Sequence, residues 1–167
     1  FQNNPTSSLV TIRCRPWHLG GRAVLLGDAC HAVVPFLGQG MNAAFEDVSV
    51  LTECLGKTDD HAAAFAEYEA RRKPHLDTLA ELCVQNFLEM RDRVGSRLFV
   101  LRKRLEVLLH ALLPRWYVPL YTMVEFTRIP YRDAVERARR QDRVAAGVAA
   151  AGLLLLVLLA TLGVLAW

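Results

Sequence analysis

The sequence contains no pair of cysteines, and no cysteine and histidine, at a spacing that binds zinc. Its four cysteines (Cys14, Cys30, Cys54 and Cys83) are far apart, and no CxxC motif occurs. The sequence also lacks a GxGxxG motif, which would mark the first turn of a dinucleotide-binding fold. These absences argue against a zinc-finger protein, and we expect the cysteines to be ordinary reduced thiols.

Charge is absent from the last 24 residues and balanced over most of the others. Residues 1–127 carry 14 basic and 14 acidic residues, whereas Arg128–Arg143 carries six arginines against three acidic residues. The net charge of +3 therefore comes from this short segment, the basic collar, in front of the apolar end. A nucleic-acid-binding surface would spread Lys and Arg over a face, so we predict no nucleic-acid partner.

The first part of the chain has the pattern of an α/β fold. Ser8–Cys14 is predicted to be a short strand, and the apolar run Ala23–Leu26 a strand buried on both faces with Ser8–Cys14 as its only partner in the chain. A loop rich in Pro and Gly comes next, and then an amphipathic helix that ends at Gly56. Its apolar face is formed by Met41, Ala44, Phe45, Val48, Leu51 and Leu55.

The rest of the chain is predicted to be helical. A helix over Ala62–Lys73 is followed at Pro74 by the start of a new helix that continues to Val94. Arg97–Leu113 has a helical pattern as well, and prolines at 114 and 119 interrupt the segment after it.

Asp28 and the loop after it have the properties of a ligand site. A carboxylate at the end of a buried strand can accept hydrogen bonds from ligand hydroxyls, and Gly38 and Gly40 allow a ligand to approach the backbone closely. The free N–H groups at the start of the following helix favour negative charge. On spacing alone, Asp28 as a helix cap and the glycines as ordinary loop residues is the favoured interpretation, because Gly-rich loops are common.

The order of residues in GDACHAVVPFLGQGMNAAFED resembles the second flavin-binding motif of the single-component FAD-dependent aromatic hydroxylases. The pattern of that motif is GD-A-H-x-x-P-x-x-GQG-x-N-x-x-x-ED, and eleven of its positions are matched. The matched residues are Gly27, Asp28, Ala29, His31, Pro35, Gly38, Gln39, Gly40, Asn42, Glu46 and Asp47.

Other segments resemble the C-terminal portion of the kynurenine-hydroxylating members of that family. These segments are FQNNPTSSLVTIRC, PWH, GQGMNA, NFLEMR and PLYTMVEFTRI. Two residues depart from the family pattern: Cys30 stands where Ala is usual, and Leu37 where an aromatic residue usually lies beside the substrate. The second departure bears on the shape of the substrate pocket.

The resemblance implies roles for nine residues. Asp28 would bind the ribityl or phosphate region of FAD, and the backbone of the helix start would meet the flavin ring. Pro35, Phe36 and Gln39 would contact the ring of L-kynurenine, while Asn86 and Tyr121 would reach its carboxylate. The cofactor-binding residues are then Asp28, Gly40, Met41 and Asn42, and the substrate-binding residues Pro35, Phe36, Gln39, Asn86 and Tyr121; no catalytic residue and no metal ligand is predicted.

The implied fold is an α/β fragment, the end of a GR2-like flavin-hydroxylase domain, followed by a helical region and a transmembrane helix. Residues 1–56 would complete the FAD-binding domain, 57–143 would contribute to the substrate pocket, and 144–167 would anchor the chain. The implied activity is NADPH-dependent hydroxylation of L-kynurenine by dioxygen to 3-hydroxykynurenine. The alternative is a catalytically incomplete, tail-anchored protein that retains a flavin motif. Since the family's N-terminal half is not present in this sequence, we expect the chain alone not to bind FAD.

His31 and the adjacent Glu46 and Asp47 could be read as acid–base groups. We interpret His31 as a structural histidine, hydrogen-bonded in the loop, because the family's hydroxylation has no evident need for a strong protein base. Adjacent residues on a helix point to different sides, so Glu46 and Asp47 are interpreted as surface or inter-segment pairing groups.

Val144–Trp167 is long and apolar enough to cross a membrane. At about 1.5 Å per residue it reaches roughly 36 Å, against a hydrocarbon core of about 30 Å. The alternative, a buried core helix, is disfavoured by the uniform composition and by the position at the chain end. The basic collar in front of it predicts that the body faces the cytosol, and the family resemblance implies the mitochondrial outer membrane.

Overall fold

The computed structural model describes residues 3–6 and 8–165, and helices dominate this part of the chain. A two-stranded antiparallel hairpin, β1 and β2, precedes six α-helices, with one 3₁₀ turn and one π-turn between them. The elements in chain order are β1 His18–Leu19, β2 Ala23–Val24, α1 Asp28–His31, the 3₁₀ turn Pro35–Leu37, α2 Gly40–Leu55, α3 His61–Leu88, the π-turn Glu89–Arg93, α4 Arg97–Leu112, α5 Leu120–Phe126 and α6 Tyr131–Leu165.

Two predictions about the strands are wrong. Residues 8–14 form no strand, although the Ile12 N–H donates to the Ala32 carbonyl at 2.8 Å. Ala23–Val24 pairs with His18–Leu19 across a tight turn, and it is not buried on both faces. A hairpin between neighbouring segments costs little chain entropy, whereas a strand pair over longer separation needs further strands beside it.

The prediction that Pro74 starts a new helix is also wrong, because α3 runs through it without a break. Proline lacks the N–H that would bond one turn back, which normally weakens a helix interior. Here α3 packs along α2, and residues on both sides of Pro74, such as Arg72 and Leu76, are buried. Tertiary packing therefore outweighs the local preference. Asp60 caps the start of α3 by accepting from the N–H groups of Ala62 and Ala63.

The predicted helix after the Gly-rich loop is present as α2, with Gly56 at its C-terminal cap. The face that it buries is not the predicted one. Its buried side chains are Ala43, Asp47 and Cys54, while Met41 and Phe45 on the apolar face are 69% and 64% exposed. Small Ala43 and the paired Asp47 allow α2 to approach α3 closely, and the apolar stripe lies on the other side.

Within the described residues the chain divides into two compact units. The first extends to Lys103 and includes Pro130–Arg132; the second comprises Arg104–Ile129 and the chain from Asp133 onward. The second unit contains most of α6, whose 131–162 portion is long and apolar enough to cross a membrane and has none of its most apolar window buried. Ala166 and Trp167, the last residues of the predicted anchor, lie outside the described residues.

Candidate functional site

The segment that carries the flavin-like motif is folded around two glycines with left-handed backbone angles. Gly27, just before α1, has a φ of 59°, and Gly38, after the 3₁₀ turn, has a φ of 64°. A Cβ at Gly27 would also lie 3.3 Å from the Cβ of Ala44 on α2. Residues that carry a side chain rarely adopt these backbone angles, so glycine is required at both positions for the loop to turn back onto the start of α2.

A cavity of about 520 Å³ lies against this loop. Its wall includes four of the predicted site residues, Asp28, Pro35, Gly40 and Met41. Asp28 is exposed on α1, and Gly38 leaves open space where a Cβ would stand. The volume is within the range of small-molecule sites, and an open cleft of this size would hold one part of a large cofactor. The remaining wall residues are Val33, Gly38 and Ala44.

The N-terminus of α2 opens onto this cavity through Gly40 and Met41. No side chain caps this helix end, so the N–H groups of its first turn keep their hydrogen-bonding capacity for an external acceptor. The Asn42 side chain instead donates to Oε1 of buried Gln39 at 3.0 Å. This bond fixes the amide of Gln39, one of the predicted substrate contacts. The uncapped helix end can stabilise negative charge on a ligand.

Asp47, which is fully buried, lies at the centre of a polar network behind the loop. Its Oδ1 accepts from Arg72 Nε at 2.7 Å, and its Oδ2 accepts from the Gly27 N–H at 3.3 Å and pairs with His31 Nε2. Arg72 also donates to the Ala43 carbonyl at 3.2 Å and pairs with Glu46 at 2.8 Å. The network therefore joins the glycine turn, α1, α2 and α3.

The structure is in keeping with the structural interpretation of His31, which is buried and paired with Asp47. Cys30, His31 and Asp47 bring potential metal-ligand atoms within 4.8 Å of one another. Both carboxylate oxygens of Asp47 are already engaged by Arg72, His31 and the Gly27 N–H. The cluster is thus arranged to hold the loop on the helices.

Burial raises the pKa of the Cys30 thiol to about 12, and the nearby charge of Asp47 acts in the same direction. The thiol donates to the Gly27 carbonyl at 3.3 Å, and the Cys30 carbonyl accepts from the Cys14 thiol at 3.4 Å. Where the family usually has Ala, this chain therefore has a protonated, unreactive thiol that packs under the glycine turn.

Asn86, a predicted substrate contact, donates from Nδ2 to the Phe36 carbonyl at 2.7 Å. The ring of Phe36 lies 4.6 Å from that of Phe87, measured between centroids. These two contacts attach the 3₁₀ turn to the C-terminal part of α3. Asn86 is thus brought together with Phe36. Tyr121 lies on α5, in the second unit, and is half-buried.

Sequence reasoning missed Arg72, which no motif marks. Its position in the sequence could have indicated that it is buried. Arg72 lies four residues after Tyr68 and four before Leu76, so a charged residue occupies an apolar row of α3. A buried arginine requires an acidic partner, and Asp47, the last residue of the flavin-like motif, supplies it.

Comparison with known proteins identifies relatives over most of the chain. Residues 6–82 match the family model described as FAD binding domain. Kynurenine 3-monooxygenase from Salinispora arenicola is 55% identical over 141 residues, which are 84% of this chain and 31% of the relative. The enzyme of that name from Salinispora tropica is 53% identical over 157 residues, 94% of this chain and 34% of the relative. That from Flavobacterium johnsoniae is 46% identical over 136 residues, 81% of this chain and 30% of the relative.

These findings confirm the resemblance inferred from the motif, although the chain spans only about a third of the length of the relatives it matches. A mostly helical fold with an FAD-binding match and one long apolar C-terminal helix agrees with the coarse fold prediction. The chain is therefore similar, over most of its length, to about a third of each of the proteins named kynurenine 3-monooxygenase, and its first half contains a match to the FAD binding domain.

Proposed function

We propose that this chain forms the C-terminal part of an FAD-dependent, NADPH-using monooxygenase that hydroxylates L-kynurenine to 3-hydroxykynurenine. The observation that carries the proposal is the cavity at the uncapped start of α2, lined by Asp28, Gly40 and Met41, in a chain 43–55% identical to enzymes of that name. The alternative of a non-catalytic anchored protein is not favoured, since the motif residues and the cavity are both retained.

In this proposal, FAD binds against the glycine turn and the N-terminus of α2. Exposed Asp28 accepts hydrogen bonds from the ribityl or phosphate region, and the N–H groups of Met41 and Asn42 meet the pyrimidine end of the flavin ring. Negative charge at that end is stabilised by the helix N-terminus by about 0.3–2 kcal/mol, depending on burial. Bound FAD would supply the oxygen-activating chemistry, with electrons from NADPH.

The exposed apolar stripe of α2 supports the same proposal. Met41, Phe45 and Val48 are exposed in the described part of the chain, while the opposite face of the helix packs on α3. A large apolar surface of this kind is normally covered. We propose that a segment corresponding to the two thirds of the relatives' length that this chain does not match covers it and completes the FAD site.

For the substrate, we propose that Pro35, Phe36 and Gln39 line the kynurenine pocket. Phe36 provides an apolar wall, and Gln39, held by Asn42, offers its amide to the ring amine or ketone. Asn86 and Tyr121 are proposed to act on the amino-acid carboxylate. For Asn86, the bond to the Phe36 carbonyl uses one amide hydrogen and leaves the second for the substrate.

The proposal can be tested by joining this chain to the remaining two thirds of the Salinispora tropica relative, in place of the matching segment. The fusion should purify with FAD and oxidise NADPH in the presence of L-kynurenine, with 3-hydroxykynurenine as product. Asp28→Ala in the fusion should fold but lose FAD on gel filtration. Asp59→Ala, an exposed acidic residue in the loop before α3, is the matched control and should retain it.

Two results would contradict the proposal. A folded fusion that binds no flavin would show that this chain does not complete the site. Full flavin retention by the Asp28→Ala fusion would remove Asp28 from the cofactor site while leaving the rest of the assignment in place.

We further propose that residues 144–167 anchor the protein in a membrane with its body on the cytosolic side. The argument is the exposed, charge-free part of α6 and the arginines that precede it on the same helix. The relatives named above are bacterial. In a cell with mitochondria, we propose that the membrane is the mitochondrial outer membrane. Fractionation of cells tests the anchor, and imaging of the tagged protein tests the compartment.

A further inference from the structure

We propose that a groove between α4 and α6 in the second unit binds one anionic phospholipid, with an acyl chain in the groove and the phosphate at Arg137 and Arg140. The proposal rests on the membrane anchoring proposed above. The groove has a volume of about 900 Å³ and is open on one side.

The walls of the groove are apolar along most of their length. Leu105, Leu109 and Leu112 line it from α4, and Val144 and Val148 line it from α6. No charged residue other than the two arginines lines this cavity among the described residues. The surface therefore suits a hydrocarbon chain and not a polar ligand.

Some polar groups at the groove are hydrogen-bonded within the chain, and others are not. Gln141 is engaged by the backbone of Val118, at 3.1 Å and 2.9 Å, and the Tyr117 hydroxyl donates to Asp142 at 3.0 Å. Arg137 and Arg140, in contrast, have no hydrogen bond or ion pair within the described part of the chain. Two available guanidinium groups side by side favour a phosphate.

The register of α6 places these groups at matching depths in a bilayer. Arg137, Arg140, Val144 and Val148 are three or four residues apart, so they share one face of a continuous helix. Arg140 precedes the charge-free segment by four residues, about 6 Å along the axis. The headgroup layer is about 5–7 Å thick on each side of the hydrocarbon core. Arg140 therefore lies at phosphate level when Val148 lies among acyl chains, and Arg137, about 4.5 Å further out along the axis, approaches the phosphate from the water side.

A phospholipid is the occupant that satisfies both halves of this surface. Its phosphate meets the arginines, and its acyl chain continues along Val144 and Val148 without leaving the groove. An apolar peptide segment would leave the arginines without a counter-charge, and a soluble anion would leave the apolar walls exposed to water. An anionic lipid is favoured over a zwitterionic one because two positive charges face it.

The test uses the full chain reconstituted into vesicles of phosphatidylcholine and phosphatidylglycerol in equal parts. After mild detergent extraction, native mass spectrometry should detect one retained phosphatidylglycerol in preference to phosphatidylcholine. Arg137→Gln with Arg140→Gln should reduce that preference by about tenfold or more, equivalent to about 1.4 kcal/mol. Arg139→Gln with Arg143→Gln removes the same charge from residues that do not line the groove. This control variant should retain the preference for phosphatidylglycerol.

A second variant tests the apolar half. Ala145→Phe fills the groove from α6 without changing charge, and it should lower retention of both lipids. Equal loss of preference in the two arginine pairs would overturn the proposal in favour of general attraction by the basic collar. Unchanged retention in Ala145→Phe would overturn it as well.

Every variant is also washed with alkali while still in vesicles. Wild-type protein that washes off would contradict the anchor itself. Wild-type protein that resists alkali but retains no phosphatidylglycerol would contradict only the groove.

Discussion

Asp47 of α2 and Arg72 of α3 form a buried ion pair, with Arg72 Nε 2.7 Å from Asp47 Oδ1. Asp47 is fully buried and Arg72 nearly so. The pair joins the two helices, and through the Gly27 N–H and His31 it also holds the loop that carries the candidate flavin site. Stability of the helical pair and geometry of the loop are therefore coupled through one carboxylate.

Removing the arginine of this pair should destabilise the chain strongly. Arg72→Met leaves the Asp47 charge buried with His31 as its only side-chain partner among the described residues, and loss of one partner of a buried pair costs about 3–5 kcal/mol. Arg71→Met is the matched control, because Arg71 pairs with Glu53 on the surface and such pairs contribute little. Urea unfolding of the full chain in detergent, followed by circular dichroism, measures both. Equal unfolding midpoints for the two variants would show that the buried pair does not hold the helices.

Stability should fall at alkaline pH partly through Cys30. The pKa of this thiol rises from its ordinary value of 9.0 to about 12 in the folded chain. Below pH 9 both states keep the proton; above it the unfolded state releases its proton first, so the free energy of unfolding decreases as pH rises towards 12. One such group contributes a slope of up to about 1.4 kcal/mol per pH unit.

Cys30→Ala should make that slope shallower, since other titrating groups are common to both proteins. Urea unfolding at pH 8, 9 and 10 compares them. A slope identical to that of the wild type would mean that Cys30 titrates in the folded chain as it does in the unfolded one.

The substrate roles of Asn86 and Tyr121 can be measured in the fusion with the Salinispora tropica relative. Asn86→Ala removes the bond to the Phe36 carbonyl and the amide proposed to bind substrate, a loss of about 1–3 kcal/mol. It should raise the Michaelis constant for kynurenine, and so should Tyr121→Phe. Gln85→Ala, the exposed neighbour on α3, serves as the control and should leave it unchanged. Wild-type kinetics in both variants would remove Asn86 and Tyr121 from the substrate site.

Deletion of Val144–Trp167 should move the protein from the alkali-resistant membrane pellet to the soluble fraction. The deleted segment has no charge, and none of the most apolar window of its helix is buried among the described residues, so a membrane is the surrounding that this surface suits. Replacing it with an unrelated apolar helix of equal length should restore the pellet. If the shortened protein still sediments after alkali treatment, another segment holds it on the membrane.

Features that depend on neighbouring residues could be predicted from the sequence. The start and end of α2, the stop at Gly56 and the long apolar end of α6 follow from periodicity, glycine and composition over adjacent positions. The flavin-like motif was recognisable for the same reason, since its residues lie within about twenty positions. Its glycines at 27 and 38 carry the left-handed angles that the turn requires.

Features that depend on distant residues were decided by the tertiary structure. The apolar stripe of α2 predicted which face would be buried, but the pairing of Asp47 with Arg72, 25 residues away, turned the opposite face to α3. The same packing carries α3 through Pro74. The local sequence pattern indicates which structure each segment prefers by itself. A buried charge is stable only when it is paired, and its partner can be distant in the sequence. Here that pairing outweighs the local preference.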